Sequence, residues 1–235
     1  HTAMASWQSL RWLVTAKRNP SAWLLLTQLL GLLLYPAMEG AAAGRALFGA
    51  FGILVLVLAL WVVNRSAASN WIAWCLAVPA VLLSIVASVA QWPAVLAYAH
   101  LLEAALYFYT AAALIAYMLR DHRVTSDELY ATGATFTLLA WGFAFAFSVC
   151  QQWFPGSFTG MVEPARPRTW FELLFLSIST LSSVGIGDIL PIGPPARALV
   201  MLASFAGVMY IALVVSRLIG LSTLARARSD AGRAP

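Results

Sequence analysis

Along the chain, long apolar runs alternate with short polar breaks. Six runs are candidates for crossing a membrane: about Ser21 to Tyr35, Gly44 to Val63, Trp71 to Gln91, Ala94 to Leu119, Asp127 to Gln152 and Pro195 to Leu221. A helix needs about 20 apolar residues to cross the hydrocarbon, and every run but the first meets that length; the first is either tilted less or extended beyond Pro36. Asn19-Pro20 opens the first run and Pro36 closes it, Asn64-Arg65 ends the second, and Pro79 predicts a kink in the third. The cluster Arg120-Asp121-His122-Arg123 stops the fourth. Thr125 and Glu128 have the spacing of a capping box at the start of the fifth, which ends before the turn Phe154-Pro155-Gly156. Between the fifth and sixth runs lies a shorter apolar stretch, Thr169 to Leu181, of 13 residues. It is too short to cross and too long for a turn, a length that belongs to re-entrant or buried core segments.

Composition agrees with the pattern. Of 235 residues, 62% are hydrophobic and 10% charged, against roughly 45–50% and 25% in a soluble domain. Such a chain is expected to be an all-α integral membrane protein. Its formal net charge of +5 is too thinly spread to point to nucleic acid, so the useful question is which side of the membrane the charges occupy. With an inner N-terminus, nine basic residues fall inside (Arg11, Lys17, Arg18, Arg65, Arg120, Arg123, Arg226, Arg228 and Arg233) and four outside (Arg45, Arg166, Arg168 and Arg197). The positive-inside bias then places both termini in the cytoplasm of a cell membrane protein. HTAMAS at the start reads as a tag remnant, and the basic amphipathic segment after it is expected to lie along the inner membrane surface. Cys75 and Cys150 both fall in apolar runs and are expected to be buried free thiols.

The chemistry gathers in residues 182–191, SSVGIGDILP. If the stretch 169–181 is a re-entrant helix entering from outside, its C-terminal end, partly negative, faces the middle of the bilayer and favours a cation. The segment that follows must climb back out, and non-helical backbone at that depth survives only buried in protein or lining water. Gly185 and Gly187 allow backbone angles that turn successive carbonyls one way. A row of carbonyls on a watery axis replaces the hydration shell of a monovalent cation.

A pore helix, S-V-G-I-G-D and two flanking spans resemble the pore of the potassium-channel family, whose signature reads T-V-G-Y-G-D. The similarity covers the fifth and sixth runs, and the six-span count extends it to the voltage-gated-like branch. The resemblance implies a tetramer with the filter built from the carbonyl-bearing residues Ser183, Val184, Gly185, Ile186 and Gly187, holding potassium or other monovalent cations and no further cofactor. Filter support would come from Asp188, Phe175, Leu176 and Ser179. Gly207 stands where the family's inner helix often carries a gating glycine; a packing contact is the other reading. The implied layout is 1–20 as tag remnant and amphipathic segment, 21–119 as a four-helix peripheral bundle, 120–127 as linker, 128–221 as pore domain (pore helix 169–181, filter 183–188, then inner helix) and 222–235 as cytoplasmic tail.

Departures from the family pattern shape the expected function. Ile186 replaces the aromatic that braces the filter, and Phe175 and Leu176 stand where many relatives have two tryptophans, so Asp188 needs another partner. Ser179 is a small hydroxyl placed either to bond Asp188 or to hold a water. The fourth run contains no Arg or Lys before Arg120, which predicts voltage insensitivity. It does carry His100 and Glu103, spaced i, i+3; they are either a proton-responsive pair or a structural one in which His100 hydrogen-bonds Glu103 near the outer leaflet. Tyr98, Tyr107, Tyr109 and Tyr117 are expected to pack or sit at interfaces. The short linker after Arg120 favours a peripheral bundle packed on its own chain's pore. The tail is expected to hold no regulatory ligand domain, and its arginines either face water in a solvated tail or contact anionic membrane lipids. No nucleophile–base spacing, Walker motif or zinc motif points to an enzyme. Two readings of function stand: a voltage-insensitive, potassium-preferring cation channel, or a channel-fold protein that does not conduct and acts as a membrane scaffold or sensor.

Overall fold

The computed structural model describes residues 19–38, 52, 54, 55, 57–61, 70–90, 93–120, 126–217, 219, 220 and 223. Six helices are delimited there: α1 Pro20–Met38, α2 Asn70–Ala90, α3 Pro93–Arg120, α4 Ser126–Trp153, α5 Trp170–Leu181 and α6 Pro194–Tyr210. Two short strands, β1 Phe158–Gly160 and β2 Ile189–Pro191, flank α5. Three helical stretches are long and apolar enough to cross a membrane, Ala94–Leu119, Asp127–Trp153 and Pro194–Val214, and the apolar stretches Pro20–Pro36 and Trp71–Ala87 are shorter. The protein is a helical membrane protein. Of the expected second run, only 52, 54, 55 and 57–61 are described, as helix. The amphipathic start, the linker residues 121–125 with Thr125 of the expected capping box, and the tail apart from Thr223 lie outside the described residues.

α4 forms the centre. It packs against α1, α3, α5 and α6, and its Leu138, Trp141 and Phe147 are completely buried. α1 runs parallel to it. The Ser21 N–H and Oγ each donate to the Asp127 carboxylate at 3.1 Å, and further along Thr137 Oγ1 donates to Gln28 Oε1 at 2.5 Å. Pro20 opens α1 at a position that needs no N–H, and the Asp127 charge suits the positive start of that helix. α3 runs antiparallel to α4, with Tyr107 against Trp141 and Phe145 at ring-centroid distances of 5.8 and 5.5 Å. Hydroxyls inside this apolar packing are satisfied locally. Thr110, Thr132 and Thr135 donate to the carbonyls of Leu106, Glu128 and Ala131, four residues back, at 2.7–2.9 Å.

Several expectations change on this frame. α1 extends beyond Pro36 to Met38, one of the two readings of the short first run, because a proline in the last turn removes only one hydrogen bond near an end. Cys75 is exposed while Cys150 is buried, and both are free thiols; Cys75 sits beside exposed Trp74, on the face of α2 turned away from the core. The last run is interrupted: α6 ends at Tyr210 and a π-helical turn, Ile211–Val215, follows before the helix resumes. Sequence pattern missed this, since the wider i→i+5 turn leaves the apolar character unchanged.

Candidate functional site

The site grows from α5 and the segments on its two ends. Thr169 caps the helix: its Oγ1 accepts the Glu172 N–H at 3.3 Å, while the Glu172 carboxylate accepts the Thr169 N–H at 2.6 Å. The pattern T-x-x-E at 169–172 carries this capping box in the sequence. Glu172 also pairs with Arg166 at 2.7 Å and with Arg168 at 3.7 Å. Burial pushes the Glu172 carboxyl up, but the Thr169 N–H, Arg166 and Arg168 outweigh it and hold it below its ordinary range.

Arg168, read in the sequence only as an outside basic residue, is 4% exposed and organises the loop before α5. Its guanidinium donates to the carbonyls of Val162 at 3.2 Å, Glu163 at 2.6 Å and Arg166 at 2.9 Å. Its backbone N–H donates to Gln151 Oε1 at 2.7 Å, and Gln151 Nε2 donates to its carbonyl at 2.9 Å. Gly160 makes room for it, since a Cβ there would run into the guanidinium.

α5 is seated by aromatic rings and one hydroxyl. Trp170 packs edge-on against Trp141 at 5.1 Å and tilted against Phe145 at 5.3 Å, and Phe171 stacks on Tyr35 of α1 at 4.3 Å. Ser177 Oγ donates to the Ala140 carbonyl at 2.8 Å. At the other end the helix stops with Ser182 and Ser183 N–H groups on the carbonyls of Ile178 and Thr180, both at 3.0 Å.

The next residues form the unusual backbone. Ser183 has φ +60° and Gly185 φ +67°, whereas Val184, Ile186 and Gly187 do not have positive φ. This alternation brings the N–H groups of Val184 and Gly185 together on one oxygen, the Ser179 carbonyl, at 3.1 Å each. In a trans peptide the C=O points opposite to the N–H of the same unit. The carbonyls of Ser183 and Val184 therefore point away from α5, toward the side on which 183–188 are exposed.

The unit between Ile186 and Gly187 is turned the other way. Its carbonyl accepts the Ser179 hydroxyl, a partner other than the Asp188 that the sequence suggested. The Asp188 carboxylate is exposed, with no bonded partner among the described residues, and the Asp188 carbonyl accepts the Met161 N–H at 3.1 Å. Phe175 reaches Gly187, its ring 3.3 Å from where a Cβ on that glycine would lie, and Leu176 is buried behind it.

The way out is pinned by backbone. β1 and β2 pair antiparallel, Phe158 opposite Pro191 and Gly160 opposite Ile189. The Ser157 carbonyl accepts Ile192 and Gly193 N–H groups at 2.9 and 3.2 Å. Pro194 and Pro195 then start α6. On its return α6 places Gly207 against the end of α5, where any Cβ would overlap the Leu181 backbone. Further on, Tyr210 Oη donates to the Thr132 carbonyl at 2.5 Å.

His100 and Glu103 are not bonded to each other. Ser84 Oγ of α2 donates to Glu103 at 2.9 Å, while His100 Nδ1 lies 3.1 Å from Gln152 Nε2 of α4 and its ring packs on Phe145. Three residues fall about 60° short of a full helical turn, which is enough to aim one side chain at α2 and the other at α4.

The family model described as "Ion channel" matches residues 104–222, just over half of the chain. The inward rectifier potassium channel Kirbac3.1 of Paramagnetospirillum magnetotacticum is 32% identical over 74 residues, which make up 32% of this chain and 22% of that relative. The chain thus spans about a fifth of the relative's length. No solved structure matches the chain.

Proposed function

The chain belongs to the ion channel family, a family of transporters and not of enzymes, and on that premise we propose that four copies form a potassium-preferring cation channel. The observation that carries this reading is the paired N–H contact of Val184 and Gly185 with the Ser179 carbonyl. It turns the Ser183 and Val184 carbonyls outward, and four such strands around an axis give rings of oxygens in place of hydration water. Ser183, Val184, Gly185, Ile186 and Gly187 are the filter segment in this reading, with Phe175 and Leu176 as its backing and Asp188 at its outer end. The six spans are α1, the run 44–63, α2, α3, α4 and α6, set in a cell membrane with both termini cytoplasmic. α3 carries no Arg or Lys from Ala94 to Leu119, so the channel is insensitive to voltage.

One observation favours the second reading, a non-conducting scaffold or sensor: the Ile186 carbonyl is occupied by Ser179. Flux separates the two. In liposomes loaded with potassium, the wild-type tetramer is expected to release the ion. Gly185→Ala is expected to stop the release, because its φ of +67° is one that L side chains rarely adopt. An intact tetramer that passes no monovalent cation would overturn the channel reading and leave the scaffold.

A further inference from the structure

We infer that Ser179 sets ion selectivity by holding one filter peptide inverted; the inference rests on the channel reading above. Ser179 binds the segment twice, in opposite senses. Its carbonyl takes the N–H groups of Val184 and Gly185, and its hydroxyl donates to the carbonyl of Ile186. The first contact leaves the carbonyls of Ser183 and Val184 facing away from α5. The second draws the Ile186 carbonyl back toward α5, so the N–H of Gly187, on the same peptide unit, faces the side where the cation passes.

An N–H carries partial positive charge and cannot ligate a cation. In the tetramer one ring of four carbonyls is replaced by one ring of four N–H groups. The run of adjacent cation sites is cut at that level, and the inner rings act without their outer neighbour. Weak discrimination between potassium and sodium follows, since discrimination depends on the number and field of the coordinating carbonyls. The side chains agree with this arrangement. Ile186 is 69% exposed in the single chain and offers no hydrogen bond that would hold its peptide the other way. Ser179, in contrast, is 8% exposed and fixed on the rigid helix.

The test uses the reconstituted full chain, with reversal potentials measured under potassium on one side and sodium on the other. Ser179→Ala removes the hydroxyl and frees the Ile186 carbonyl. The potassium-to-sodium permeability ratio is expected to rise about fivefold, the weight of one net hydrogen bond. Ser179→Thr keeps the hydroxyl and is expected to retain the wild-type ratio. A readout independent of flux is amide exchange at Gly187, expected to be fast in the wild type and slowed in Ser179→Ala as the N–H turns inward. Equal permeability ratios in wild type and Ser179→Ala, or the same rise in Ser179→Thr, would overturn the role of Ser179 and leave the channel reading standing. Silence of wild type and both variants in intact tetramers would overturn both. A protected Gly187 amide in the wild type refutes the inverted peptide even where Ser179→Ala does not assemble.

Discussion

Single residues decide how closely the backbones approach. The sequence allowed Gly207 two roles, hinge or contact, and the geometry shows the contact: a Cβ there meets the backbone of Leu181, which has nowhere to go. Gly133 is a useful contrast, since its Cβ would lie 2.9 Å from the flexible tip of Leu25. Gly207→Ala is therefore expected to lose about 1–3 kcal/mol, as overpacked cores do, and Gly133→Ala markedly less. Thermal unfolding of the two purified variants side by side checks this; equal losses would show that the α5–α6 contact is soft. Arg168 makes the complementary point. Its guanidinium fork takes three carbonyls of one loop, a geometry that no point charge on a flexible stem reproduces.

At the scale of elements, α5 is held at both ends by unlike means. Its C-terminal end is tied by backbone and the Ser179 side chain, and its N-terminal end by charge. Glu172 is held low in the folded chain despite partial burial, through the Thr169 N–H and the two arginines. A carboxyl whose pKa is lowered on folding contributes stability above its unfolded pKa and loses it as pH falls through the lower folded value. Glu172→Gln keeps the capping acceptor and removes the charge. The thermal midpoint of wild type is thus expected to exceed that of Glu172→Gln at neutral pH, with the gap closing as pH drops below the ordinary carboxylate range. A gap that stays constant with pH would rule out the ion pairs as its source. α6 shows the other way an element departs from its pattern: the π turn at Ile211–Val215 begins four residues after the Gly207 contact.

For the whole molecule, α1 and α3 pack on α4, and α2 packs on α3. α1 and α3 flank α4 in opposite directions. The polar links from Ser84 to Glu103, from His100 to Gln152 and from Gln151 to Arg168 join α2 and α3 to the loop before α5. Ala94–Leu119 holds no Arg or Lys, and each charge that crosses the field is worth about 2.3 kcal/mol per 100 mV. Open probability in planar bilayers is expected to stay flat over about 100 mV of either sign; a steep conductance–voltage curve would require charges elsewhere in the chain to move.

Hydrophobic periodicity and length determined the class, the helices α3, α4 and α5 to within about a residue, and the place of the GxGD segment, because helices in hydrocarbon must satisfy their own backbone and so announce themselves locally. The strands β1 and β2, the burial of Arg168, the bond between Asp127 and Ser21, and the separate partners of His100 and Glu103 were decided by tertiary structure alone. Each joins residues distant in sequence or turned to different neighbours, and composition carries no record of which face meets which. The same holds at the centre of the site. S-V-G-I-G-D fixes which residues can adopt the unusual backbone, but only the fold brings the Ser179 hydroxyl to the Ile186 carbonyl, and that contact sets which way one peptide faces.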